Sequence, residues 1–170
     1  GFALGSQRKL LENPDTLTSF DIKKYAPRLP LLFGNLGAVQ LNYGVRLPQI
    51  IELISAVSSD AFIFHLNPLQ EWIQPEGNCN FKGILEILHQ IVPQIPVPVL
   101  VKEVGAGISS TTAHKLKEMC LAGVEVAGLG GTSWARIEGL RNKDPLYQSL
   151  GETFARWGIL TTESIQICKK

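Results

Sequence analysis

Four short apolar runs along the chain each end in glycine or in polar residues: "PLLFGNLGA" at 30–38, "DAFIFHLNP" at 60–68, "PVLVKEVGAG" at 98–107 and "GVEVAGLGGTS" at 123–133. Between them "LPQIIELISAVSS", "FKGILEILHQIVPQI" and "SSTTAHKLKEMCLAG" repeat apolar residues at three- and four-residue spacing, the period of a helix with one buried stripe. The first residues, "GFALGSQR", are strand-like with a polar stop, and "TESIQICKK" at the other end reads as a helix. Strand alternating with helix predicts βα units on a parallel sheet. The near absence of polar interruptions inside the runs suits strands covered on both faces. No linker or low-complexity stretch divides the chain, so a single domain is expected over 1–170.

Two parallel architectures compete. An open nucleotide-binding sheet would carry a glycine fingerprint between its first strand and helix, and "GAGIS" and "GLGGTS" do not complete one. Polar residues gather instead at the C-terminal ends of the strands: Ser6, Gln7 and Arg8; Asn35; His65 and Asn67; Lys102; Thr132. That is where (β/α)8 barrels keep their chemistry, although a whole barrel has eight strands and typically ~250 residues. The expectation is therefore α/β, a (β/α)8 TIM barrel present as a truncated portion of roughly five to six βα units.

Composition narrows the partners. The 170 residues are 45% hydrophobic and 18% charged with a formal net charge of +1, ordinary for a domain that buries a core. Without a basic stripe interleaved with aromatics, nucleic acid is not an expected partner. The longest apolar stretch, "IVPQIPVPVLV", is too short and interrupted to span a bilayer, so no membrane partner is expected. The opening residues lack a secretory pattern. Cys79, Cys120 and Cys168 show neither metal spacing nor a disulfide framework, which suits a reducing cytoplasm.

Three stretches could carry chemistry. In "PVLVKEVGAGIS", strand alternation puts Leu100, Lys102 and Val104 on one face and Val99, Val101 and Glu103 on the other. Lys102 is then either a surface lysine or a pocket charge, and its place at a strand end favours the pocket. "GLGGTSW" at 128–134 is a glycine-rich loop of the kind that offers backbone N–H groups to phosphates. In "HLNPLQE", His65 and Asn67 share a strand face, Pro68 ends the strand, and Gln70 and Glu71 fall on the loop beyond. Histidine and asparagine can grip phosphate oxygens, and a lone glutamate beside a diphosphate can hold Mg2+ with its waters. The other reading is a capping network for the loop backbone.

Taken together, "GSQR", "GNLGA", "HLNPLQE", "PEGN" followed by Phe81, "VKEVGAGIS" and "GGTSWARIE" resemble the type 2, flavin-dependent isopentenyl diphosphate isomerases. The resemblance runs from Gly5 to about "WGILTTES", with the motifs in family order. It implies a barrel that binds flavin mononucleotide (FMN), interconverts isopentenyl and dimethylallyl diphosphate, and requires Mg2+ and reduced flavin, usually with NADPH as reductant. Homotetramers or larger assemblies are implied too. Among the residues, it implies flavin contacts at Ser6, Asn35, Lys102 and Thr132, with Lys102 beside the ring system. Substrate contacts are implied at Ser6, Gln7, Arg8, His65, Asn67 and Gln70, and a Mg2+ ligand at Glu71. Gln70, Trp134 and Glu138 are implied at the reacting carbons, Gln70 orienting, Trp134 as a wall and Glu138 as a proton-relay carboxylate.

The resemblance further implies that an N-terminal segment and the last barrel units, with the loops holding the FMN phosphate, lie outside these 170 residues. Ala127 stands where many relatives have serine. Two alternatives stay open: an FMN-dependent 2-hydroxy acid oxidase or dehydrogenase, and a non-catalytic barrel fragment. The first would need a histidine with a nearby arginine late in the barrel, whereas His65, His89 and His114 sit elsewhere.

Overall fold

The computed structural model describes residues 1–169. Five strands form one sheet: β1 (Phe2–Ala3), β2 (Leu32–Gly37), β3 (Ala61–His65), β4 (Val99–Lys102) and β5 (Gly123–Glu125). Each neighbouring pair is parallel, as strand–helix alternation leads one to expect, and the spatial order follows the chain. Helices α1 (Arg8–Glu12), α2 (Ile22–Tyr25), α3 (Leu47–Ala56), α4 (Pro68–Ile73), α5 (Ile84–Ile91) and α6 (Ser110–Lys117) connect the strands. After β5 come α7 (Trp134–Arg141), α8 (Pro145–Thr153) and α9 (Thr161–Cys168).

The barrel expected from the sequence is not formed: the sheet is open. β1 and β5 are its two edges and do not pair with each other. Beyond β5 the chain adds helices and a lone parallel bridge between Leu129 and Leu160, with no sixth strand among the described residues. Closing a parallel barrel of this kind takes eight strands, and among the described residues β5 has no further strand beside it to carry the sheet round to β1. Buried parallel strands read alike in open and closed sheets, which is why the pattern did not separate the two.

One face of the sheet makes the core. Leu32, Leu36, Phe62, Phe64, Val99 and Val101 alternate along β2, β3 and β4 and are almost wholly buried. They pack with Ile50, Leu53 and Ile54 of α3, Leu88 of α5 and Leu116 of α6. The α3 trio follows the i, i+3, i+4 spacing that gives a helix one apolar face. Phe62 and Phe64 meet edge to face with ring centres 5.2 Å apart, and each such side chain contributes about 1.5–3 kcal/mol by burial. The opposite face carries Asn35, His65 and Lys102. Register pairs Gly37 with His65, His65 with Lys102, and Lys102 with Glu125, so these C-terminal ends form one row across four strands. Among the described residues no helix is long and apolar enough to cross a membrane.

Candidate functional site

Pro68 opens α4 rather than merely stopping β3, since its missing N–H is no loss in the first helical position. Gln70 and Glu71 therefore stand on a helical turn above the strand, not on the loop expected from the sequence. Asn67, at the N-cap, donates from Nδ2 to Glu71 Oε1 at 2.9 Å and to Gln70 Oε1 at 3.3 Å. The second Glu71 oxygen accepts the Asn78 backbone N–H at 2.6 Å, and Gln40 donates to the Asn78 side chain at 2.9 Å. Glu71 is buried yet borders the cleft, and with one donor on each oxygen it keeps lone pairs for another ligand.

Gln70 reaches across to α7, donating from Nε2 to Glu138 Oε1 at 3.0 Å. Glu138 is buried, and its second oxygen takes Arg141 Nη1 at 2.5 Å. Trp134 opens the same helix, whose Ser133 cap accepts the Arg136 N–H. The relay Asn67–Gln70–Glu138–Arg141 thus ties two helices that lie far apart in sequence.

On the sheet side, Lys102 is half-buried and donates to the Glu103 carbonyl at 2.6 Å. The Glu103 carboxylate turns the other way and accepts the N–H groups of Val104, Gly105 and Ala106 at 2.7, 2.9 and 2.6 Å. Burial pushes its pKa up, against the lowering effect of those three bonds. His65 Nδ1 lies 2.9 Å from Asn35 Oδ1, and Asn35 Nδ2 donates to the Leu4 carbonyl at 2.8 Å. Burial, aided by the neighbouring Lys102 charge, lowers the His65 pKa to about 4, so its imidazole is neutral at pH 7.

These groups border one open cleft of about 480 Å3: Ser6, Arg8, Asn35, His65, Asn67, Gln70, Glu71, Lys102 and Trp134 all line it. Arg8 begins α1 and bonds Glu12 at 2.9 Å. Thr132 is exposed and lines a small neighbouring hollow of about 30 Å3 with Asn67, Gln70 and Trp134. Glu138 stands behind Gln70. Gln7, expected to touch substrate, is fully buried instead. Its Nε2 donates to the Leu53 carbonyl at 3.3 Å and its Oε1 accepts the Asn35 N–H at 2.9 Å, so both polar ends serve the packing of β2 on α3. Glu103, Arg141 and Gln40 were not singled out from the sequence. Arg141 had a readable signal, its position three residues after Glu138 on one helix; Gln40 had none.

As to the groups implied by the family resemblance, no cluster of three His, Cys, Asp or Glu exists among the described residues. A lone buried carboxylate with lone pairs to spare suits Mg2+, which binds one or two carboxylates and keeps several waters. A flat cofactor finds in the cleft a cation at Lys102, an aromatic wall at Trp134 and close backbone approach at Gly37, where a Cβ would lie 3.0 Å from His65 Nε2. Both groups fit the residues present.

No family model matches the chain. Among solved structures it bears a distant likeness to the YdjI aldolase from Escherichia coli K12, with a TM-score of 0.44 and 12% identity over 92% of this chain and 53% of that one, too slight to carry an argument. Curated proteins are far more similar. The chain is 49% identical over 163 residues to the isopentenyl-diphosphate delta-isomerase of Synechococcus sp., covering 96% of this chain and 47% of that protein. The protein of the same name from Nostoc sp. is 48% identical over 162 residues, covering 95% and 46%. That of Rickettsia akari is 44% identical over 167 residues, covering 98% and 48%. Over nearly its whole length the chain is thus similar to proteins named isopentenyl-diphosphate delta-isomerase, and it spans about half of theirs.

Proposed function

We propose that this chain supplies the cleft of an isopentenyl-diphosphate isomerase of the flavin-dependent type, acting on isopentenyl and dimethylallyl diphosphate with reduced FMN and Mg2+. NADPH as reductant and a homotetramer or larger assembly belong to the same reading. The observation that supports it best is the convergence of His65, Asn67, Gln70, Glu71, Lys102 and Trp134 on one cleft, in a chain 49% identical to a protein of that name.

Moving a carbon–carbon double bond along an isoprenoid needs a proton added at one carbon and another removed nearby. Bound reduced FMN would supply that acid–base chemistry. Lys102 places an ammonium in the cleft, where it favours an anionic reduced ring. Glu71 would hold Mg2+ against the diphosphate, with Arg8 at the cleft edge adding positive charge. Fixing the diphosphate aligns the apolar tail, and such orientation can be worth several kcal/mol of a barrier. Gln70 cannot act as an acid; held by Asn67 and Glu138, it orients the reacting carbons. Glu138, which accepts from Gln70 on one oxygen and from Arg141 on the other, is the carboxylate placed to take up a proton leaving the reacting carbons. Trp134 walls the tail from water.

The test is conversion of isopentenyl diphosphate by the purified full-length protein with FMN and Mg2+. Activity is expected only after reduction by dithionite or NADPH, and none with oxidised flavin. Equal activity with and without flavin, or none under reduction, would overturn the reading.

A further inference from the structure

Asn35 and His65 fix a proton's position. The Leu4 carbonyl can only accept, so the Asn35 atom 2.8 Å from it is the amide nitrogen. The opposite end of that amide is then the oxygen, which can only accept from His65 Nδ1 at 2.9 Å. Hence Nδ1 carries the hydrogen, and in a neutral imidazole Nε2 is a bare lone pair. The next strand sets Lys102 beside His65 in register, which disfavours a second proton, as burial does. Nε2 lies against Gly37, where any Cβ would stand 3.0 Å away, and His65 borders the cleft.

We infer that His65 is a hydrogen-bond acceptor toward the ligand, held in a single tautomer by Asn35 and the Leu4 carbonyl, and that it recognises a ligand N–H or O–H rather than a phosphate oxygen. A fully ionised diphosphate offers no hydrogen to a bare Nε2. A flavin does, through its ring imide and its ribityl hydroxyls, so His65 belongs to cofactor recognition and Asn35 is its positioning residue. This assignment rests on the flavin reading above for its ligand, but not for its tautomer.

The test has two arms on the full-length protein. Long-range 1H–15N correlation of histidine-labelled protein, with His65 assigned by its loss in His65→Gln, is expected to show the Nδ1–H tautomer throughout pH 8 to 5. Asn35→Asp puts a carboxylate on Nδ1 and is expected to bring His65 protonation up by at least one pH unit. An Nε2–H tautomer, or an imidazolium at pH 7, would overturn the inference. The second arm measures FMN and inorganic pyrophosphate binding to His65→Leu. FMN affinity is expected to fall about tenfold, the loss of one hydrogen bond, with pyrophosphate affinity unchanged; the reverse pattern would overturn it. Wild-type protein that binds no FMN would sink the flavin reading instead, leaving the first arm to decide the tautomer.

Discussion

The two faces of the same three strands do opposite work one residue apart. Leu36 and Phe64 point into the core, while their neighbours Asn35 and His65 face the cleft. On the core face, side chains are interchangeable in kind and gain from contact area. On the cleft face each polar group is committed to a particular partner: His65 to Asn35, Asn35 to Leu4, Gln70 to Glu138 and Asn67 to Glu71. The core face therefore sets whether the sheet exists, and the cleft face sets which few lone pairs and charges a ligand meets.

The largest expected break of this contrast lies on the core side. Phe62→Ala should cost about 3–5 kcal/mol through lost burial and the cavity left between β3 and its helices, read as a lower midpoint in denaturant unfolding. Next comes acid. His65 is an ordinary imidazole when unfolded but is lowered to about 4 when folded, so its neutral form adds stability above pH 6.5. As pH falls from 6.5 to 4 the unfolded chain binds the proton first, and about 3 kcal/mol of stability is lost, with no further loss from this group below pH 4. His65→Gln should flatten that part of the stability–pH curve; an unchanged slope would place the acid sensitivity elsewhere.

Smaller in energy, and confined to chemistry, is Glu138→Gln. It should lower kcat about 100-fold, the usual worth of a positioned proton-transfer group, while unfolding shifts little because Arg141 is half-exposed. Glu71→Gln should raise the Mg2+ concentration needed for activity by roughly 100-fold or more, as expected on losing a carboxylate ligand, and leave the spectrum of bound flavin intact. Flavin loss in that variant would make Glu71 a support for the 74–80 loop through Asn78 rather than a ligand to metal.

Much of this was legible in the chain because the parallel-strand runs end where polar residues begin. His65, Asn67 and Lys102 were readable as strand-end groups for that reason. Closure was not readable, because it depends on a neighbour for β5 and not on the pattern within any strand. Helix α4 was missed because six residues carry too little periodicity and Pro68 reads equally as an end or a beginning. Helix α8 escaped notice for another reason. Its contact with α7 is made by Gly139 against Gly151, where a Cβ on Gly139 would lie 2.8 Å from the Gly151 Cα, and such a backbone crossing leaves no apolar stripe. Gln7 misled in the opposite sense, since a polar residue at a strand end can equally serve the core when both its ends find backbone partners.

The proposal that one cleft serves both cofactor and diphosphate is tested most directly by the visible absorption of bound FMN. Titrating isopentenyl diphosphate into the FMN-bound full-length protein should perturb that spectrum, only when Mg2+ is present, and the response should vanish in Glu71→Gln while FMN stays bound. A flavin spectrum indifferent to saturating diphosphate and Mg2+ would contradict it.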